Sequence, residues 1–393
     1  MNQRVEHELL FIVGRRDLDA EQKEKLSTLL VSPVDWSYLV ELADNHGLLE
    51  LLHHHLTTVA TLVPANVIAE LRDKTFNNSQ AVLTLVGELL KLQRRFDECD
   101  LHFTTFKGPV LSQLAFGDIA LRPAGDIDLL VSRENVSRAV SIAESLGYKT
   151  LPSLTPAQFK SHLDFHCEVP LISEDGLTII DLHWDLAPKS FVCHISAEDM
   201  LRRAQPIRVA GIPVLTFELE DLILYLAMHG TKHLWRRLEW IASLAALIQN
   251  HTTVDWKILI ERSVATRSSR TLALGMRLAA QCFSVDVPHN VWTTLDSDES
   301  MKRLASEISV NLLFGPVTEP ESIETAMYNL KVMDRKTDAL VSLLRAVYTP
   351  TLSDFEAVML PTSLHALYYA VRPLRLSKSY SARFLRKFTG SSD

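Results

Sequence analysis

Cysteine is scarce in this chain: four in 393 residues, Cys99, Cys167, Cys193 and Cys282, with no CxxC pair among them. That spacing gives neither a zinc motif nor a disulfide framework, so a reducing compartment is expected. Long apolar runs are missing too. No stretch approaches the ~18–20 apolar residues of a membrane span, and the run Leu9–Val13 is too short for the core of a secretory signal. The expected location is the cytoplasm. Glycine is sparse, at 13 residues, and Leu-rich segments are common, which favours helices. An excess of positive charge is also absent. The formal net charge of −8 argues against a binder of long nucleic acid, because phosphate affinity needs clustered Lys and Arg. The C-terminal tail is the local exception: Arg372, Arg375, Lys378, Arg383, Arg386 and Lys387 lie close together with only Asp393 opposing them. It reads first as a solvated end, and second as a surface for RNA, acidic lipid or an acidic partner.

The length suits two or three domains, and the patterning divides the chain into residues 1–78, 79–215 and 216–393. The first part reads as an N-terminal helical region. Asp35 caps a helix whose apolar face is Trp36, Leu39, Leu42 and Ala43, and Gly47 separates it from Leu48–Leu56. The triplet His53-His54-His55 does not read as a metal site, since consecutive helical residues point about 100° apart.

The middle part reads as a small α/β unit with a mixed sheet. Val82, Leu85, Val86, Leu89, Leu92 and Phe96 keep a helical period, and His102–Phe106 follows as a short strand turned by Gly108. Val110–Phe116 reads as a brief helix, Asp126–Val131 as a second strand, and Ser132 to Gly147 as a capped and stopped helix. Glu168–Ile172 and Leu177–Trp184 flank Ser173-Glu174-Asp175-Gly176, an Asp-Gly hairpin signal. The last part is helical: Phe217–Gln249, Trp256–Ser263, Thr271–Phe283, Ser300–Leu313 and one near Ser363–Val371, before the basic tail. The fold class that follows is α+β.

Asp126 and Asp128 in 125-GDIDLLV-131 fall on one face of the second strand. Like charges so close are stable as dianions only beside a cation, and a hard divalent ion such as Mg²⁺ prefers such oxygens. A pair of solvated strand-end acids is the other reading. Asp181 lies between Ile180 and Leu182 in the apolar hairpin strand, where a charge is costly unless it is paired or holds a metal. His183 shares that face, either as a hydrogen-bonding support or as a structural histidine. Three carboxylates on adjacent strands describe a two-metal phosphoryl-transfer centre.

The pieces 106-FKGPVL-111, 122-RPAGDIDLLV-131, 181-DLHW-184, 228-MHGTKHLW-235 and 372-RPLRL-376 resemble the bacterial "uncharacterised nucleotidyltransferase" family of the DNA polymerase β-like superfamily. The resemblance implies a polymerase-β-like catalytic domain flanked by N-terminal and C-terminal helical regions. It implies that Asp126, Asp128 and Asp181 hold Mg²⁺ (or Mn²⁺) and act on a nucleoside triphosphate, ATP among the candidates, with Asp181 helping to deprotonate the attacking hydroxyl. Nucleotide contacts are implied for Lys107, Gly108, Arg122, Lys232, His233 and Arg236. Lys107-Gly108 stands where the superfamily has Gly-Ser, so Lys107 either binds phosphate or pairs with the aspartates. Arg122 either binds phosphate or steers the acidic loop. Trp235 and Trp240 read as packing residues, and Ala242-Ser243 stands where the family carries an acid. The implied acceptor is a small molecule, a sugar or sugar phosphate, or a peptide or protein hydroxyl. The alternatives are a degenerate nucleotide-binding or protein-interaction module, and a toxin–antitoxin component.

Overall fold

Alternation along two short central strands decides which side of the sheet becomes core and which becomes site. The strands are β1 (Thr104–Thr105), β2 (Ile127–Leu130), β3 (Tyr148–Thr150), β4 (Glu168–Ser173) and β5 (Ile179–His183), in the spatial order β1-β2-β5-β4-β3. Only β2 and β5 run parallel; β1, β3 and β4 join antiparallel. This computed structural model describes residues 4–389 apart from 154, 190, 252, 296, 297, 316, 318–321, 359, 362, 363, 365 and 366. Side chains at 157, 161, 322, 323, 352, 355, 356 and 379–389 are likewise outside the description.

Four helices precede the sheet: α1 (Val5–Val13), α2 (Ala20–Val31), α3 (Trp36–Asn45) and α4 (Leu49–Thr58). Asp35 caps α3 by accepting from the Tyr38 amide. The histidine triplet diverges as its helical spacing requires: His53 bonds Thr75, while His55 bonds the Arg15 carbonyl. The long helix α5 (Ala65–Glu98) then crosses residue 78, where the sequence suggested a boundary. Its Val67 and Leu71 pack with the first four helices, whereas Leu85, Val86, Leu89, Leu92 and Phe96 pack on the sheet.

That sheet face is apolar. Ile127, Leu129, Ile180, Leu182, Val169 and Leu171 meet α5 and the stripe Val136, Ala139, Val140 and Ala143 of α7 (Val136–Ser145). Burial of these side chains at about 25 cal/mol per Å² fixes the register, because a one-residue slip would turn Asp128 and Asp181 into this core. Ser132 does not cap α7 directly; a 3₁₀ turn at Arg133–Asn135 intervenes. Between β1 and β2 lies α6 (Gly108–Phe116), and between β3 and β4 lies α8 (Pro156–Phe165).

A hairpin that the sequence patterning did not suggest follows α9 (Ala197–Arg203). Its strands are β6 (Gln205–Val209) and β7 (Ile212–Thr216), turned at Ala210-Gly211 with φ of 49° and 81°. Positive φ at both turn residues is the hairpin geometry that matches strand twist.

The expected single helix over 217–249 is two, α10 (Leu219–Lys232) and α11 (Leu238–Asn250). Leu234 and Trp235 adopt positive φ, 57° and 53°, and the Trp235 amide donates to the Gly230 carbonyl at 2.7 Å. The fully buried indole folds back over the bare Gly230, which ends α10. The chain continues as α12 (Trp256–Ala265), α13 (Ser269–Phe283), α14 (His289–Leu295), α15 (Glu299–Asn311), α16 (Ser322–Val332), α17 (Lys336–Tyr348), α18 (Leu352–Ala357) and α19 (Tyr368–Thr389). Helices from both ends of the chain share one core: Leu9, Leu52, Leu244, Leu274 and Phe283 belong to it.

The basic tail is not simply a solvated end. It continues α19, and Arg372 and Arg375 both pair with the fully buried Asp354. Lys378 is exposed; the side chains of Arg383, Arg386 and Lys387 lie outside the described residues.

Candidate active site

Asp128 and Asp181 occupy the same rung of the parallel β2–β5 pair, so their carboxylates leave the sheet on one face. His183 lies two residues along β5 on that face. The ligand atoms of Asp128, Asp181 and His183 all lie within 4.8 Å of one another. Asp126 stands one residue before β2 and outside that tight group. Its pKa is raised by burial and then by the charge of Asp128.

Asp128 is 1% exposed, and its Oδ1 meets Lys107 Nζ at 2.6 Å and His183 Nε2 at 3.0 Å. Burial works against its charge, but Lys107 and His183 outweigh it and hold the carboxyl far below the usual range. The Lys107 ammonium in turn is held protonated by Asp128 against its own burial. Among the described residues Asp181 has no such cation against it. Burial first, then Glu168, Asp126 and Asp128, push its pKa up to about 7.

Glu168 is a residue that sequence reasoning passed over. It opposes His183 across the antiparallel β4–β5 pair, with Oε2 3.1 Å from Nδ1, an ion-pair distance without hydrogen-bond alignment. Counting outward from the Asp-Gly turn would have found it, because the register pairs Ile172 with Ile179 and therefore Glu168 with His183. Burial raises the Glu168 pKa, and His183, Lys232 and Lys107 bring it below the ordinary value.

Asp128 Oδ2 is buried and has no hydrogen-bond partner among the described residues. An orphaned carboxylate oxygen next to Asp181 and Asp126, both with pKa raised by burial and by neighbouring acids, is a donor set of hard oxygens with too little positive charge. It fits a divalent cation such as Mg²⁺.

Lys107 caps α6 from an extended backbone, and Gly108 follows at φ 54°. A Cβ at Gly108 would lie 3.2 Å from the Asp126 carbonyl oxygen, so the glycine lets the helix start press against the acidic loop. The structure therefore brings the N-terminus of α6, with its unsatisfied amides, to the acids. Tyr225 of α10 lines the same corner, with Lys107 Nζ 6.0 Å from its ring centre.

The remaining expected contacts separate into two groups. Lys232 and His233 end α10 and line a cavity beside the site, and the Lys232 charge reaches Glu168. Arg122 offsets part of the rise in the Asp126 pKa, yet its half-buried guanidinium faces Oε2 of the buried Glu239 at 3.8 Å. Arg236 pairs with Glu324 of α16. Glu239 immediately precedes Trp240 on α11, and Ala242 and Ser243, which follow it, are buried. Trp235 is wholly buried, and Trp240 packs against the rings of His229 and His233 at 5.6 and 5.3 Å. Burial and the cations Lys107, Lys232 and Arg122 hold His229 neutral.

Among the described residues no helix is long and apolar enough to cross a membrane. None of the curated proteins compared with the chain is similar to it. Residues 32–284 match the family model for an uncharacterised nucleotidyltransferase, a span that holds Lys107, Asp126, Asp128, Asp181, His183 and Lys232, and the chain belongs to that family.

Proposed function

We propose that the protein transfers a nucleoside monophosphate from a nucleoside triphosphate to a hydroxyl or phosphate of an acceptor, with Asp126, Asp128 and Asp181 as the metal-holding carboxylates. The observation that carries this reading is the shared rung of Asp128 and Asp181 on parallel strands, which brings a buried and a half-buried carboxylate together on one face of the sheet. When bound there, Mg²⁺ or Mn²⁺ would neutralise the phosphates and align them.

This chain's own residues supply the rest. The α6 N-terminus and Lys107 would receive phosphate oxygens. His183 fixes the Asp128 carboxylate, and Glu168 backs His183. Asp181, on the same rung as Asp128, is placed to take the proton of the attacking hydroxyl. The acceptor oxygen bonds to the α-phosphorus while the bond to the β-bridging oxygen breaks. Pyrophosphate leaves with that electron pair.

The test incubates the protein with each α-labelled nucleoside triphosphate, Mg²⁺ or Mn²⁺ and a cell extract, beside Asp128→Asn. Label transfer that disappears in the variant supports an enzyme. Absence of divalent-dependent triphosphate binding by calorimetry removes the reading, and nucleotide binding without transfer leaves a degenerate binding module.

A further inference from the structure

The C-terminal helices close over one edge of the sheet and leave a cavity of about 230 Å³ between α10, α16, α17 and the segment before β4. Its described lining carries Lys232, His233, His166 and Arg372 together with the hydroxyls of Ser342 and Thr351, and not one carboxylate. In a chain with more acids than bases, a lining of one sign marks a place for an anion.

The individual groups differ in how far they are already engaged. Arg372 donates to Thr351 Oγ1 at 3.1 Å and pairs with Asp354 at 3.7 Å, so part of its charge is spoken for. Lys232 makes no hydrogen bond or ion pair with any described residue. Asn329 is 1% exposed and donates to Ser342 Oγ at 3.3 Å, while its carbonyl oxygen has no partner among the described residues. A half-buried lone ammonium and an orphaned buried amide oxygen are both costly unless a ligand meets them.

The cavity adjoins the carboxylates. His166 lines it and Glu168, against His183, lies two residues on, about 7 Å of extended chain. Its volume is below the ~300–1,000 Å³ of pockets for drug-sized ligands, so a sugar-sized molecule fits and a polymer does not.

We propose that this cavity is the acceptor subsite, and that the acceptor is a small phosphate monoester with a free hydroxyl. The assignment rests on the nucleotidyl-transfer reading. Lys232 takes the phosphate, the Asn329 carbonyl oxygen accepts from a ligand hydroxyl, and the reacting hydroxyl points past Glu168 towards Asp181. Its oxygen bonds to the α-phosphorus of the triphosphate, its proton passes to Asp181, and pyrophosphate departs with the electrons of the broken bond.

The experiment measures ribose 5-phosphate and inorganic phosphate binding by calorimetry, without divalent ions, to the wild type, Lys232→Met, Asn329→Leu and Asp181→Asn. Expected are binding to the wild type and to Asp181→Asn, at least tenfold weakening in Lys232→Met, and loss of the sugar phosphate in Asn329→Leu. Circular dichroism confirms that each variant is folded. A non-hydrolysable triphosphate with Mg²⁺ should leave the affinity for ribose 5-phosphate undiminished. Competition between the two would give the cavity to the triphosphate tail and overturn the proposal, as would unchanged binding in Lys232→Met. If the protein binds triphosphate and neither phosphate probe, the acceptor assignment falls and the nucleotidyl-transfer reading stands. If it binds ribose 5-phosphate but no triphosphate with Mg²⁺ or Mn²⁺, both fall.

Discussion

Lys107 Nζ lies 2.6 Å from Asp128 Oδ1, where the Asp128 side chain is 1% exposed and that of Lys107 18%. The ammonium holds a buried negative charge that no other group among the described residues neutralises fully. Lys107→Met leaves that charge facing Asp126 and Asp181, and breaking a buried pair on one side costs roughly 3–5 kcal/mol. In urea unfolding without divalent ions the variant should lose about that much. Added Mg²⁺ should return a large part of it, because the ion supplies the missing charge. Unchanged stability in EDTA would contradict the buried pair, and no recovery with Mg²⁺ would contradict the metal centre.

Asp181 gives the protein a specific pH dependence. Burial, then Glu168, Asp126 and Asp128, raise its pKa from 3.8 to about 7. A carboxyl whose folded pKa is raised adds stability below its unfolded pKa, and that stability is lost as pH rises through the folded value. The metal-free protein should therefore lose stability from about pH 4 to about pH 7. A divalent ion needs the deprotonated form, so its affinity should climb over the same range and level off above pH 7. Calorimetry in two buffers of different ionisation enthalpy at pH 6 should reveal proton release on binding. Asp181→Asn should reduce both the release and the climb, leaving only the share of Asp126, whose pKa is also raised.

Most of the site was legible because its residues are adjacent in sequence or on strands with clear alternation. Asp128, Asp181 and His183 needed only period-two counting and a turn signal, whereas Asp126 falls just before β2. Glu168 was hidden because its partner is set by hairpin register rather than by spacing along one strand. Arg122 read as a loop cation, yet it faces Glu239, more than a hundred residues away, and only tertiary packing brings them together. The split of α10 from α11 was missed because apolar periodicity continues through it. The break depends on Trp235 reaching back over Gly230, a contact that composition does not announce. The tail's basic residues likewise seemed unopposed because Asp354 is distant in sequence and fully buried in space.

His183 touches Asp128 on one ring nitrogen and approaches Glu168 on the other, at 3.0 and 3.1 Å. Groups that orient a metal-binding carboxylate typically change metal affinity or activity by about 10–100-fold when removed. His183→Ala should weaken Mn²⁺ binding, read by electron paramagnetic resonance, within that range, while His183→Gln retains part of it through its amide donor. Equal Mn²⁺ affinity in wild type and His183→Ala would reduce His183 to a packing residue. Loss of the fold in His183→Ala is separated from loss of the site by comparing the unfolding midpoints in EDTA.

Gly230 and Gly87 make opposite predictions for the same substitution. A Cβ at Gly230 would stand 2.4 Å from the Trp235 ring, and the buried indole has no space to retreat. Overpacking of this kind costs typically ~1–3 kcal/mol. Gly87 lies inside α5 with nothing within 4 Å of where a methyl group would sit, so alanine there should add ~0.5–1 kcal/mol through helix propensity. Gly230→Ala should also shift the tryptophan emission to longer wavelength as Trp235 is pushed towards solvent, and Gly87→Ala should not. Because Gly230 is two residues from Lys232, the strained variant should lose ribose 5-phosphate binding in proportion to the emission shift. A stable Gly230→Ala with unshifted emission would mean that the α10–α11 break does not depend on the indole folding back over the glycine.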